Sequence, residues 1–215
     1  MSAIAFGGSL RRVRFLHEVH AGLLRWTAPH PEWQANAPAE SPADWPREVG
    51  CVLSHARGGT VLIDPLIPPD RGAFLGELDG QIRMRGASVS VVTTIGFHRR
   101  SRDELAERYG ARTSRARSAL PAGVEPLPIR GAGETMFWLP DHAAIVTGDR
   151  IIGAGGGGLR LCPESWLAYL PSGLNLATLR ERLHPLLELP IERVLVSHGD
   201  PVLSGGRSAL AEALA

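Results

Sequence analysis

The sequence predicts an α/β (α+β) chain in three or four layers, and three observations predict it. Two short runs, residues 60–63 (TVLI) and 88–94 (SVSVVTT), are β-branched and largely apolar, the pattern of strands covered on both faces. Residues 174–189 place Leu176, Leu179, Leu183, Leu186 and Leu187 on one helical face. The order is strands first, then strands and helices mixed, which suits a layered α/β arrangement better than an all-α or all-β one. The 215 residues are 44% hydrophobic, enough for one full core, and one domain spanning 1–215 is expected.

The elements follow in order. Residues 11–27 alternate in part and break at Gly22, which predicts a hairpin. The Pro- and Ala-rich stretch after it, up to residue 48, has no period and reads as a surface loop pinned by Trp26, Trp33 or Trp45. Residues 49–66 read as two strands turning at Gly58-Gly59, the second ending in Asp64-Pro65. Residues 71–85 have roughly helical spacing, with Phe74, Leu75, Leu78 and Ile82 apolar. A second helix is expected over 101–109, where Ser101 and Glu104 form an S-x-x-E capping box and Leu105 and Tyr109 share a face. GVEPLPI, ETMFWLP and AAIVTGD predict three strands, the last two joined at Pro140-Asp141. GAGGGG (153–158) is expected to be a flexible loop; no GK[ST] follows, so it is not a P-loop. IERVLV is a final strand and SALAEALA a final helix.

Composition narrows the function. The formal net charge is +1, which gives no bulk attraction to nucleic acid or membrane. All 23 basic residues are arginines, so arginine richness is by itself a weak sign of anion binding. Two distant cysteines, Cys51 and Cys162, with no CxxC, argue against a disulfide framework and rule out zinc held on thiolates. The N-terminal residues lack the pattern of a secretory signal, and no apolar run is long enough to span a bilayer. A cytoplasmic protein is expected.

Four polar residues stand just after strands: Asp64, His98, Asp149 and His198. Groups at strand ends are a common way to build a site on a rigid scaffold. Plainer readings stand beside this one. An Asp after a strand often caps a turn, and a lone loop histidine is often only surface. Ser54-His55 and Ser197-His198 are adjacent pairs, which does not make a Ser–His dyad, and Cys162 has no neighbouring histidine to activate it.

The order of these parts resembles the metallo-β-lactamase superfamily. It is carried by LIDP (62–65), the strand and loop over 89–100, GAGET (131–135), AAIVTGD (143–149) and VSHGDP (196–201), and covers roughly residues 49–204, leaving 1–48 as the hairpin and loop. The resemblance implies an αβ/βα sandwich of two mixed sheets flanked by helices. It also implies a site at one sandwich edge with one or two zinc ions that activate water against an ester, amide, thioester or phosphodiester.

The sequence departs from that family's H-x-H-x-D-H loop. Thr94 and Gly96 stand where its first two histidines would be, His98 in the Asp position and Arg99 in the last His position; GAGET has no histidine. The resemblance leaves Asp149 and His198 as ligand positions, with His98 a third by substitution. Three protein ligands suffice for at most one catalytic zinc with an open position. Asp64 is then expected to orient the ligand loops from behind. His98, Asp149 and His198 make metal binding feasible if their side-chain tips lie within about 5 Å, given zinc bonds of roughly 2.0–2.2 Å.

Arg99 and Arg100 count against a dication, because nearby guanidinium groups raise its cost. They suggest an alternative: a non-catalytic descendant, with no metal, that binds a small anionic ligand or a partner at the start of the 101–109 helix. Ordinary surface pairs, Arg102 with Asp103 and Arg108 with Glu104, are the plainer expectation there. His30, Trp33 and Trp26 are expected to wall the site edge, although tryptophans in a long loop often only anchor it. Trp166 and Tyr169 carry the same two readings. Nucleic acid and membrane partners are not expected.

Overall fold

A computed structural model describes residues 14–215; the N-terminal reading above lies outside these residues, as does the start of the first hairpin. β1 (His17–His20) and β2 (Leu23–Pro29) turn at Gly22, which takes a φ of 76°. β3 (Glu48–Ala56) and β4 (Gly59–Ile63) follow, then helix α1 (Arg71–Arg85) and β5 (Val89–Val92). Helix α2 (Arg102–Tyr109) precedes β6 (Glu125–Ile129), β7 (Glu134–Leu139) and β8 (Ala144–Thr147). β9 (Ile151–Gly155) and β10 (Gly158–Leu161) form a hairpin, and helix α3 (Leu176–Leu183), β11 (Arg193–Val196) and helix α4 (Gly206–Ala213) close the chain.

One sheet has the order β1-β2-β3-β4-β5 and the other β11-β8-β7-β6. Each is mixed: β4 runs parallel to β5 and β11 to β8, the other neighbours being antiparallel. The period-two rule of a strand sorts the core into layers. Val52, Val61, Ile63 and Val92 meet Phe137, Leu139, Val146 and Leu195 between the sheets. Cys51, Leu53, Leu62 and Val91 turn outward under Phe74 and Leu78 of α1 and Leu105 of α2. Met136, Ile145, Val194 and Val196 lie under Leu179 and Leu183 of α3 and Leu210 of α4. Helix, sheet, sheet and helix layers follow, the αβ/βα sandwich. Both faces of the central strands are covered, which is why their sequence reads as continuous apolar runs rather than alternation.

Some elements differ from expectation. The 153–158 glycine run is not a loose loop but the end of the β9–β10 hairpin, with Gly155, Gly156 and Gly157 all at positive φ. Gly153 sits inside β9, where an added Cβ would fall 2.5 Å from the backbone of Asp200. The 174–189 helix is α only to Leu183; a 3-10 turn carries His184–Glu188, because Pro185 cannot donate to the preceding turn. Ser101 heads α2 but forms no capping hydrogen bond to it. Its hydroxyl accepts from the Ile67 amide at 3.0 Å, and Glu104 pairs with Arg71. No helix among the described residues is long and apolar enough to cross a membrane.

Candidate functional site

The site is built at one edge of the sandwich, where the loops after β4, β5, β8 and β11 converge. β4 runs into Asp64, which is buried and takes a φ of 51°, a left-handed backbone rare for a residue with a Cβ. Its carboxylate accepts from the Thr94 amide at 2.7 Å and from the Thr94 hydroxyl, and lies 2.9 Å from His98 Nδ1. A carboxylate can only accept, so Nδ1 of His98 carries the proton and donates it. That fixes the ring, which sits on a 3-10 turn over Gly96–Arg99, and turns Nε2 toward Asp149.

His98 Nε2 lies 2.9 Å from Asp149 Oδ1, and His198 Nε2 lies 3.3 Å from the same oxygen. The three candidate ligand atoms all lie within 4.8 Å of one another, inside the 5 Å test set above. All three residues are buried. Asp149 Oδ1 nevertheless has no aligned hydrogen-bond partner; the two imidazoles face it by charge rather than by hydrogen-bond geometry. Burial by itself raises the Asp149 carboxyl, but His98 and His198 hold it well below the usual range. Burial and Arg100 pull the His98 imidazole down, but Asp149 and Asp64 outweigh them and lift it to about 9. Burial lowers His198, against the pull of Asp149. The point where these side chains meet therefore favours positive charge.

This donor set fits a divalent cation. Two imidazole nitrogens and one carboxylate oxygen converge, the oxygen lacks any other partner, and His98 has the carboxylate behind it that metal-bound histidines commonly have. No second set of ligands stands beside it among the described residues. Thr94 is spent on Asp64 and His98, Gly96 has no side chain, and Arg99 points outward to Asp103 at 2.8 Å. Glu134, from GAGET, is buried with its carboxylate accepting from the amides of Gly148, Asp149 and Arg150 at 2.8–3.0 Å. Thr94 and Glu134 press against Gly148 so closely that a Cβ there would lie 2.4 Å from Thr94 Oγ1.

The three residues face a cavity of about 260 Å³. Trp45 and Trp166 stand edge-on to His198, with ring centroids 5.7 and 5.4 Å away, and His30 packs on Trp45 at 4.8 Å. Phe97 and Tyr169 meet edge to face at 5.3 Å on the rim. His30 lines the cavity as expected. Trp33 does not: its indole N–H donates to the Trp45 carbonyl at 3.0 Å, so it anchors the loop that presents Trp45. Trp26 is fully buried under α1, bonded to the Leu66 carbonyl, and walls nothing.

The arginines also part company. Arg99 and Arg102 both clamp Asp103 on the surface, and Arg108 pairs with Asp79 rather than Glu104. Arg100, at a φ of 37°, reaches inward and lines the cavity. It donates to Ser197 Oγ at 2.8 Å, to the Asp64 carbonyl at 3.1 Å and to the Gly50 carbonyl at 3.4 Å, leaving only Nε unpartnered. It thus fastens three of the site's segments together. Paired acids and inward bonds leave little of the Arg99–Arg100 pair free for an anionic ligand.

No family model matches the chain, and no curated protein matches it. Solved structures do. A metallo-beta-lactamase from Erythrobacter litoralis is 14% identical with a TM-score of 0.59, over 94% of this chain and 92% of that one. The DIM-1 metallo-beta-lactamase is 14% identical with a TM-score of 0.56, over 92% and 97%. The metallo-beta-lactamase FIM-1 from Pseudomonas aeruginosa, in its mono-zinc form, is 14% identical with a TM-score of 0.55, over 92% and 94%. The chain has the metallo-β-lactamase fold.

Proposed function

We propose that this chain is a hydrolase-like protein working with a single metal ion, zinc in the first instance, held by His98, Asp149 and His198. The observation that carries this reading is the convergence of two buried imidazole nitrogens on a carboxylate oxygen that has no hydrogen-bond partner, at the floor of a cavity. A fold that holds one zinc in FIM-1 supports it. A zinc ion there supplies Lewis acidity and a water acidic enough to act as nucleophile near neutral pH.

The chain's own residues have separable tasks. Asp64 holds His98 in one tautomer and one orientation. Glu134 fixes the backbone that presents Asp149. Arg100 ties the segments of Asp64 and His198 together and places a positive charge at the cavity wall. The aromatic walls keep bulk water from the reacting group. Esters and thioesters are the substrates to screen.

The test is elemental analysis of untagged protein dialysed against trace zinc, with Asp149→Ala and His198→Ala alongside. About one zinc per chain, lost in both variants, is expected from a three-ligand site. Wild-type protein that retains no metal would sink the metal-dependent hydrolase.

A further inference from the structure

We propose that the cavity selects a flat, uncharged aryl group on the acyl or leaving side of its substrate. This rests on reading the site as one that cleaves esters or thioesters, and narrows it to aryl members of those classes. The first observation is exposure. Phe97 is 69% and Tyr169 46% exposed, and these two rings meet each other at the cavity rim. Neighbouring exposed aromatics at a concave site mark a binding surface rather than chance decoration.

The second observation is how the rings are held. Arg150 is fully buried beneath the cavity. It donates to the Tyr169 hydroxyl at 2.8 Å, the Trp166 carbonyl at 3.2 Å and the Ala132 carbonyl at 2.9 Å. Burying a guanidinium is costly, and this one fixes two of the cavity's aromatic residues in place. The Trp166 indole N–H is spent on the Ser41 carbonyl at 3.1 Å. The Trp166 indole N–H is thus taken by the protein and the Tyr169 hydroxyl is held by the Arg150 donor, so both rings are fixed with their faces and edges toward the ligand. Stacked and edge-on ring contacts favour a flat partner over a flexible chain of equal size.

Charge and size complete the description. A negatively charged ring meets Glu32, and a positively charged one meets Arg100, both on the cavity lining. A cavity of about 260 Å³ holds one or two fused rings together with the reacting carbonyl.

The experiment compares binding of acetophenone and 2-octanone, two ketones of equal carbon number with no bond to hydrolyse. Calorimetry is run on the full chain, with and without added zinc. Acetophenone is expected to bind about tenfold more tightly, and Phe97→Ala to weaken it about fivefold with little change for 2-octanone. Phe97→Tyr restores the preference. Equal affinities for the two ketones, or no effect of Phe97→Ala in protein with a native circular-dichroism spectrum, overturn the proposal. The two readings fail separately. A chain that binds no zinc but keeps the aryl preference loses the hydrolase; a zinc-loaded chain that hydrolyses wholly aliphatic esters as fast as esters with an aryl group on either side loses the aryl group.

Discussion

Glu134 shows how much of this site is made by residues that touch no ligand. Its carboxylate faces three successive amides, Gly148 to Arg150, on the turn that carries Asp149. Burial and the nearby Asp149 charge push its carboxyl upward in pKa, while Arg150 and the amides pull it down. In Glu134→Gln the side-chain NH₂ faces a backbone N–H, two donors against each other. We expect a loss of about 1–3 kcal/mol in urea unfolding, and zinc binding about tenfold weaker by calorimetry. Glu134→Gln that unfolds early but binds zinc normally would make it structural only. Asp149 and His198 were legible because each lies two residues past a strand, and His98 because it stands in the loop that follows β5. Glu134 was not, because its role depends on a backbone turn 14 or more residues away. The Arg99–Arg100 pair divides for a related reason: adjacent side chains on a tight turn point in different directions, one to a surface acid and one into the site.

At the scale of elements, α1 was read to the residue from a roughly helical spacing, and elements were read less well where local chemistry cut in. Pro185 shortens α3, and the glycines of the β9–β10 hairpin hide a turn inside what looks like a linker. Pairings between remote elements left no sequence signal. His20, at the end of β1, lies 3.1 Å from His142 through their Nδ1 atoms, and His142 sits before β8 at the end away from Asp149. Burial, then the His20 charge, lowers the His142 pKa from 6.5. His30, lowered to about 4 by burial and Arg100, and His55, lowered by burial, shift the same way. A histidine lowered on folding binds fewer protons in the native state. Its contribution to stability is present above 6.5 and is lost as the pH falls toward its folded value. The urea midpoint of the wild type should therefore exceed that of His142→Asn at pH 7.5, with the gap narrowing by pH 5. Parallel midpoints across that range would remove this pair from the pH response.

Across the whole molecule, the two sheets are stitched by backbone at the edge that holds the site. The Gly50 amide donates to the Ser197 carbonyl at 2.7 Å and the Thr135 amide to the Thr94 carbonyl at 2.8 Å; the β9–β10 hairpin joins the same edge, Gly153 donating to the His198 carbonyl at 2.9 Å. Every stitch has a site residue at or beside it, so fold and site are one construction there. The layered fold was legible because burial on both faces shows in composition; the stitches were not, because they are made by main chain and by what glycine lacks. A Cβ on Gly50 would sit 2.4 Å from the Val196 carbonyl oxygen and 2.8 Å from Arg25. Gly76, in the middle of α1, has nothing within 4 Å of the same position. Gly50→Ala should push the sheets apart and cost about 1–3 kcal/mol, and Gly76→Ala should add about 0.5–1 kcal/mol by helix propensity. Urea unfolding reads both. If the stitches position the ligands, Gly50→Ala also weakens zinc binding under conditions where the variant is fully folded, because Ser197 and His198 move with the β11 end of the sandwich. Zinc affinity unchanged in folded Gly50→Ala would mean that the triad is held by its own side-chain contacts, with Asp64 and Glu134 sufficient to place it.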